Sequence, residues 1–159
     1  MKIGILRIDR MGDMILTLPI IKSIKISNSK AEIHIFSSNK NTKILKNFKY
    51  IDKIFNINKN EFSKKKYNFL LNFSPGWNSF IKCLFLNSSI KANIIFTSRY
   101  KSGGYSKLLI IFLSKIFFNK TLVIHRRKRF KELRTIHQTL VMFELLEICK
   151  IAYDKNILI

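Results

Sequence analysis

Residues 1–19 read MKIGILRIDRMGDMILTLP, and this stretch predicts the class of the fold. Its first part, Lys2–Ile8, is mostly apolar and is typical of a short buried strand. Gly12 then breaks the run and allows a tight turn with unusual backbone dihedral angles. Apolar residues within Met14–Ile24 recur at the spacing of one helix face. The chain is therefore predicted to open as strand, tight turn and helix, with an acidic residue, Asp13, where the helix starts.

The remaining sequence alternates predicted strands with predicted helices over one domain of 159 residues. This alternation favours an α/β fold, a three-layer parallel sheet with right-handed crossovers. The hydrophobic content of 47% argues against disorder, and the length suffices for a substantial core. The further strands are predicted at Ala31–Ser37, Ile51–Ile57, Tyr67–Phe73, Lys91–Phe96 and Thr121–Ile124, and the further helices at Asn41–Phe48, Trp77–Leu86, Tyr105–Phe118 and Ile136–Ala152.

The charge balance points to anionic partners, because the formal net charge is +21. A field of this sign favours nucleic acid, phosphorylated sugars or an acidic membrane surface. Abundant Lys, Ile and Asn are also typical of an AT-rich genome. The basic cluster Arg126–Arg129 therefore carries more weight than the scattered lysines.

Several classes of site find no support in the sequence. Neither a G-x-G-x-x-G fingerprint nor a P-loop is present, which argues against a nucleotide cofactor. Cys83 and Cys149 have no metal-ligand spacing, so we predict reduced cytosolic thiols and no metal site. No signal peptide precedes the first strand, and the apolar stretch Leu108–Phe118 is shorter than the ~20 residues needed to span a bilayer. These features predict a cytoplasmic protein.

Asp13 admits two roles. As a helix cap, its carboxylate would accept backbone N–H bonds and lie favourably in the helix dipole, which stabilises by about 0.5–2 kcal/mol. As a general base, it would lie in the ligand cleft that open α/β sheets form beyond the carboxyl ends of their strands. Position alone favours the cap. A helix N-terminus also weakens a carboxylate as a base, so catalysis would need desolvation as well.

A turn at Ser74–Asn78 follows the fourth predicted strand and would face Asp13 across the same crevice. Gly76 and the N–H groups after it are candidates for binding an anion at a helix N-terminus. Trp77 is a candidate for stacking on a sugar ring. The alternatives are an ordinary turn at Pro75-Gly76 and a core position for Trp77.

Basic and polar residues at later strand ends complete the candidate site. Arg99 follows the fifth predicted strand and Arg126 opens the basic cluster, and guanidinium forks bind phosphate and carboxylate groups. The commoner role of such runs is solvated loop charge. His137 lies at the start of the last helix, either as a cap or as a polar group that points into the cleft.

The segment Arg7–Pro19, RIDRMGDMILTLP, closely resembles the opening motif of the lipopolysaccharide heptosyltransferases, glycosyltransferase family 9. The turn Ser74–Asn78 and the pair His137-Gln138 are similar to later landmarks of that family. The resemblance implies the N-terminal half of a GT-B fold, in which two Rossmann-like domains face each other across a cleft. It also implies an inverting, metal-independent transfer of heptose from ADP-heptose to an anionic lipopolysaccharide-core acceptor.

The resemblance assigns acceptor binding to this single domain, residues 1–159, and the nucleotide sugar to a C-terminal donor domain that we expect to be absent. Asp13 matches the family's general base, which takes the proton of the acceptor hydroxyl. Asn72 is a departure, because members of the family often carry an acid there. We expect the chain to be inactive unless a separate chain supplies the donor half. The expected acceptor-binding residues are Arg10, Gly12, Ser74, Gly76, Trp77, Asn78, Arg99, Arg126 and His137, the arginines being inferred from charge and position.

Two other functions compete with this one: a non-catalytic module that binds an anionic glycolipid or a partner protein, and a nucleic-acid-binding protein. Only charge supports the latter, because no helix-turn-helix, RNP or zinc pattern is present. The helix Leu108–Phe118, flanked by basic loops, also fits peripheral contact with the inner face of the inner membrane. We favour a buried core helix there, since a parallel sheet needs both faces covered.

Overall fold

The fold is built on a six-stranded parallel sheet. The computed structural model describes residues 1–57, 66–97, 104–125 and 138–158. The strands are β1 (Lys2–Arg7), β2 (Glu32–Ser37), β3 (Lys53–Asn56), β4 (Tyr67–Asn72), β5 (Ser88–Thr97) and β6 (Lys120–His125). Their order in the sheet is β3-β2-β1-β4-β5-β6, and every neighbouring pair is parallel. This is a doubly wound order whose direction reverses between β1 and β4.

Helices cover both faces of this sheet and form the three layers predicted from the sequence. They are α1 (Met11–Ile15), α2 (Leu18–Ser27), α3 (Asn39–Leu45), α4 (Trp77–Leu84), α5 (Gly104–Phe117) and α6 (Gln138–Ile148), followed by a 3₁₀ helix at Lys155–Leu158. On one face, Ile21 of α2, Leu45 of α3 and Leu146 of α6 belong to one buried cluster. On the other face, Phe80 of α4 and Ile110 of α5 belong to a second cluster.

Strand β1 lies at the centre of the sheet, paired with β2 on one side and β4 on the other. All of its side chains after Lys2 are buried. The space around position 4 explains why it is a glycine, because a Cβ there would lie 2.9 Å from Leu70 Cδ1 and 3.1 Å from Tyr67 Cδ1. Glycine therefore leaves the room in which the β4 side chains pack against β1.

The continuous first helix predicted from the sequence is wrong, because two helices take its place. α1 ends at Ile15 and α2 begins at Leu18, with Pro19 in its first turn. Proline has no N–H to donate to a carbonyl one turn earlier, so the α-helical hydrogen bonds stop and start again. The new series begins where the N–H of Ile21 donates to the carbonyl of Thr17 at 3.1 Å.

The last long helix is shorter at its carboxyl end than the predicted Ile136–Ala152. α6 ends at Ile148, and Lys150 then adopts a left-handed conformation with φ of 56°. The N–H of Ile151 donates to the Leu146 carbonyl at 3.0 Å, and the N–H of Lys150 donates to the Glu147 carbonyl at 2.9 Å. These two bonds form a Schellman motif, which ends the helix.

Helix α5 is buried on one side only. Ile110 and Ser114 are buried, as is Phe118 directly after the helix, whereas Leu108, Phe112 and Ile116 are exposed. The expectation of a buried core helix is therefore wrong for its outer face. In the part of the chain that the structure describes, no helix has the length and apolar character needed to cross a membrane.

Both cysteines are free and buried. Burial raises the pKa of the Cys83 thiol, and it raises the pKa of the Cys149 thiol to about 11. Such thiols are poor nucleophiles and poor metal ligands at neutral pH. Among the described residues, no group of three His, Cys, Asp or Glu side chains is placed to hold a metal ion.

Candidate functional site

A cleft of about 1450 Å³ opens at the carboxyl edge of the sheet, where the strand order reverses. Open α/β sheets bind their ligands at this position. The first loop and α1 form one wall, and residues from α3, the turn after β4, β5 and α6 contribute the rest. The cleft lining includes Asp9, Arg10, Gly12, Asp13, Lys40, Pro75, Phe96 and Gln138.

Arg7, the last residue of β1, is fully buried beneath this cleft. Its Nη1 donates to the carbonyl of Phe73, and its Nε donates to the backbone carbonyl of Asp13 at 3.3 Å. Its Nη1 also lies 3.6 Å from Asp9 Oδ2, and its Nη2 lies 3.3 Å from Asp13 Oδ1. Burial lowers the pKa of Arg7, and both carboxylates oppose that shift. One buried cation therefore joins the ends of β1 and β4 and holds two carboxylates at the cleft.

Asp13 lies in α1 with 28% of its side chain exposed. Its Oδ1 faces Arg7, and within the described residues its Oδ2 has no hydrogen-bond partner. The helix cap position is occupied by Arg10, whose side chain makes no capping hydrogen bond. The Asp13 carboxylate is thus held by the buried guanidinium, and this geometry favours a role in the cleft over the capping role.

Gln138, the first residue of α6, is a second support for Asp13. The orientation of its side-chain amide follows from two neighbours, because Asp13 Oδ1 can only accept a hydrogen bond and Arg7 Nη2 can only donate one. In that orientation Nε2 donates to Asp13 Oδ1 at 3.1 Å, and Oε1 accepts from Arg7 Nη2 at 2.9 Å. Arg7, Asp13 and Gln138 therefore form a closed triangle, made of one ion pair and two hydrogen bonds, that fixes the carboxylate.

Asp9 places a second carboxylate in the cleft wall. Burial raises its pKa, while the Arg7 cation and a hydrogen bond from Ser74 oppose that shift. The backbone around it is anchored by the buried Asn41, whose Nδ2 donates to the Asp9 carbonyl at 3.1 Å. Asp9 was not predicted as a site residue, although its position just after the first strand indicates the carboxyl edge of the sheet, where ligands bind.

Arg10 and Gly12, two of the residues predicted for the site, line the cleft. The backbone conformation of Gly12 differs from the one expected. It lies inside α1, and its φ is outside the left-handed region. The predicted tight turn with unusual dihedral angles is therefore wrong. A Cβ at Gly12 would meet no atom within 4 Å, so this position leaves the wall open toward the cleft.

The turn after β4 is tied to the end of β1. The Oγ of Ser74, a fully buried residue, accepts from the Ile8 N–H at 2.8 Å. Gly76 is extended with φ of 175°, a conformation open to any residue. Trp77 packs on the second core cluster and meets Phe80 edge to face at 5.8 Å, which favours the packing role over ring stacking.

The other predicted residues have different placements. Asn78 is exposed at the start of α4 and is not among the residues that line the described cleft. Arg99, Arg126 and His137 lie outside the described residues. Gln138 was recognised only as the companion of His137, and no sequence signal marked its contact with Asp13.

Asn72 belongs to a buried amide chain. Its Oδ1 accepts from the Ser74 N–H at 3.1 Å, and its Nδ2 donates to Asn93 Oδ1 at 2.9 Å. Asn93 Nδ2 in turn donates to Ser114 Oγ at 3.1 Å. These contacts account for the buried amide where the resembling family often has an acid, and they link β4, β5 and α5.

The arrangement can receive a proton and hold an anion. A carboxylate oxygen within about 2.6–3.2 Å of a bound hydroxyl is placed to act as a general base. The Asp13 carboxylate lies in the cleft wall with Oδ1 fixed and part of its side chain exposed, and a hydroxyl bound in the cleft would meet this exposed part. Arg10 and Lys40 are exposed cations in the same wall and suit an anionic ligand.

Solved glycosyltransferases share this fold. A glycosyl transferase family 9 structure from Veillonella parvula DSM 2008 matches with a TM-score of 0.67 and 16% identity, over 95% of this chain and 42% of that one. E. coli heptosyltransferase WaaC matches in two structures. The one with ADP gives a TM-score of 0.67 at 15% identity, over 98% of this chain and 49% of that one. The structure with ADP-2-deoxy-2-fluoro heptose gives a TM-score of 0.69 at 13% identity, over 98% of this chain and 50% of that one.

No protein-family model matches the chain, and comparison with curated protein sequences finds no match either. The chain spans about half the length of the glycosyltransferase structures that it matches. At these identities the likeness shows the fold. The six-stranded parallel sheet with its flanking helices matches about half of the heptosyltransferase GT-B fold, in agreement with the resemblance of the Arg7–Pro19 motif.

Proposed function

We propose that this chain is the acceptor-binding half of a heptosyltransferase-like glycosyltransferase, with Asp13 as the general base. The observation that carries the proposal is the triangle of Arg7, Asp13 and Gln138 at the cleft. It fixes one carboxylate oxygen, and among the described contacts it leaves the other free to accept a proton. The fold shared with WaaC supports a glycosyltransferase over other uses of such a carboxylate.

The proposed reaction is an inverting, metal-independent transfer of heptose from ADP-heptose. The acceptor hydroxyl attacks the anomeric carbon, the bond from that carbon to ADP breaks, and ADP leaves. The hydroxyl proton passes to Asp13 Oδ2 as the new glycosidic bond forms. Arg7 stabilises the carboxylate before the transfer and is itself buried, so it acts through Asp13 and does not touch the acceptor.

The acceptor is proposed to be an anionic lipopolysaccharide-core glycolipid. Arg10 and Lys40 lie in the cleft wall, where they would bind its acidic groups. Arg99, Arg126 and His137 remain predictions for the same role. ADP-heptose is proposed to bind a second Rossmann-like half, in the same polypeptide or in a separate chain.

Acceptor binding and turnover can be tested separately with one substitution. The probe is a heptose-deficient lipopolysaccharide core, titrated calorimetrically into the chain and assayed for ADP release with a heptosyltransferase donor half supplied. We expect Asp13→Asn to bind the probe within about threefold of the wild type and to lose about 10²–10⁴-fold in turnover. Glu144→Gln, an exposed carboxyl on α6, is the matched control and should change neither quantity.

Three outcomes would count against the proposal. Turnover of Asp13→Asn within about tenfold of the wild type would remove Asp13 as the base. Binding of the probe without any turnover would favour the non-catalytic glycolipid module. Steeply salt-dependent binding to random DNA, with no binding of the probe, would favour the nucleic-acid alternative.

A further inference from the structure

A broad apolar surface covers the outer sides of α4 and α5. The two helices are in contact, because the ring of Phe80 meets the ring of Phe117 at 6.5 Å. The exposed side chains include Phe85 at 76%, Leu108 at 66% and Phe112 at 61% of their maximum accessible area. We define the α4–α5 surface by its exposed apolar residues Ile81, Phe85, Leu108, Phe112, Ile116 and Phe117.

The exposed residues of α5 form a regular stripe. Leu108, Phe112 and Ile116 repeat every four residues, as do the buried Ile110 and Phe118 on the other side with Ser114 between them. A helix that is apolar all round is normally covered on both sides. Contiguous apolar patches of this kind on a protein surface mark interaction sites. We therefore expect the outer side of α5 to bind a partner that covers its apolar residues.

Charge identifies the chemistry of that partner. The segment Phe62–Lys131 contains fifteen Lys and Arg residues and no Asp or Glu. Both helices of the α4–α5 surface come from this segment, and Lys115 is exposed on α5 beside the apolar stripe. A genome rich in lysine codons explains many lysines, but it does not confine all nine acidic residues to the rest of the chain.

We propose that the α4–α5 surface binds an anionic lipid bilayer, with the two helices lying in the plane of the interface. Apolar side chains flanked by lysine, without acidic residues, are the composition of interfacial helices. A symmetric dimer through this surface would place two positively charged segments against each other with no acidic residue from either to neutralise them. Charge complementarity therefore favours an anionic lipid surface over a second copy of the chain.

Both helices of the surface begin at the edge of the sheet that carries the candidate cleft, because each follows a parallel strand that ends there. The consequence of this placement rests on the proposed function. Pro75 lines the cleft, and α4 begins two residues later at Trp77. Phe96 of β5 lines it too, and α5 is the next helix along the chain. A bilayer bound to the α4–α5 surface would hold a lipid-linked acceptor next to the cleft.

The test measures binding of the purified chain to vesicles that contain no sugar acceptor, so it is independent of the proposed catalysis. Vesicles with about 30 mol% phosphatidylglycerol in phosphatidylcholine are compared with pure phosphatidylcholine at low salt by sedimentation. We expect at least about tenfold tighter binding to the anionic vesicles. Phe112→Ser/Ile116→Ser should weaken that binding by about tenfold or more.

A matched variant controls for the general loss of exposed apolar side chains. Ile26→Ser/Ile148→Ser changes exposed residues of α2 and α6 and should bind the vesicles like the wild type. Circular dichroism confirms that each variant is folded. Asp13→Asn should also bind normally, which separates failure of this proposal from failure of the proposed base.

Any of three results would overturn the proposal. The first is equal or no binding of the wild type to the two vesicle types. The second is equal binding of Phe112→Ser/Ile116→Ser and the wild type, which would indicate adsorption by charge alone. The third is a dimer in light scattering that this double variant dissociates, together with no vesicle binding, which would assign the surface to a second copy.

Discussion

Replacing Arg7 with methionine should destabilise the protein through the charges left behind. The substitution removes the ion pairs to Asp9 and Asp13 and the hydrogen bond to the Phe73 carbonyl. Loss of one partner from a buried ion pair costs about 3–5 kcal/mol. The two carboxylates retain exposures of 30% and 28%, so solvent screens them in part. We therefore expect the free energy of unfolding to fall by the lower end of this range, about 3 kcal/mol at pH 7.

Urea denaturation at several pH values is the assay. For an m-value of about 2 kcal/mol/M, the midpoint of Arg7→Met should fall by about 1.5 M at pH 7 with an unchanged slope. The deficit should shrink toward pH 4. Without the cation, the pKa of Asp9, which burial already raises above 3.8, rises further. A carboxyl with a raised folded-state pKa favours folding below its unfolded pKa and loses that stability as the pH rises.

If Arg7→Met does not fold, the neutral triple variant R7M/D9N/D13N tests whether the unpaired carboxylates cause the loss of stability. We expect its stability at pH 7 to lie within about 1 kcal/mol of the wild type, since a whole buried ion cluster is often replaceable. A deficit of Arg7→Met below about 1 kcal/mol at pH 7, or an equal deficit at pH 4, would refute the reasoning.

Two further substitutions follow from the same structure. Asp9→Asn should raise the free energy of unfolding at pH 7 and lose that advantage below pH 3.8, because burial raises the pKa of Asp9 and its ionised form costs stability. Arg7 stays paired in this variant, since Asp13 remains as its counter-ion at 3.3 Å. Equal stability of the two proteins at pH 7 in urea titrations would contradict this. Lys150→Gly should stabilise by about 1 kcal/mol, because glycine adopts the left-handed conformation at φ of 56° without a Cβ penalty. A lower melting temperature for this variant in calorimetry would show that the Lys150 side chain makes a stabilising contact.

The strands were predictable because a parallel sheet buries both of its faces and leaves continuous apolar runs such as the one in β1. The place of Asp13 was predictable too, since parallel strands present their carboxyl ends at one edge. Arg7 was not recognised as a support for the site, because an arginine near the end of a strand usually indicates an exposed position. Its burial depends on Phe73 and Gln138, which are distant in sequence and become neighbours only in the fold.

The helices were less predictable for local reasons. The pattern of apolar residues runs through Pro19 without a break, so periodicity alone missed the interruption that a missing N–H imposes. On α5, the apolar residues occur on both sides of the helix, and the sequence pattern does not say which side meets the sheet. The assumption that every apolar face is covered within the chain produced the wrong expectation.

The central position of β1 also determines the order in which the molecule can assemble. β1 is synthesised before the other five strands, yet its second partner, β4, begins only at Tyr67, and the Arg7 guanidinium donates to a carbonyl 66 residues later. Until β4 docks, β1 is an apolar edge strand with unpaired backbone groups on one side. Because pairing over such a separation must first overcome the entropy of closing a long loop, docking of β4 should limit the folding rate. The nascent chain therefore carries a strand that ends up buried at the centre of the sheet as an exposed, association-prone edge until β4 has been made.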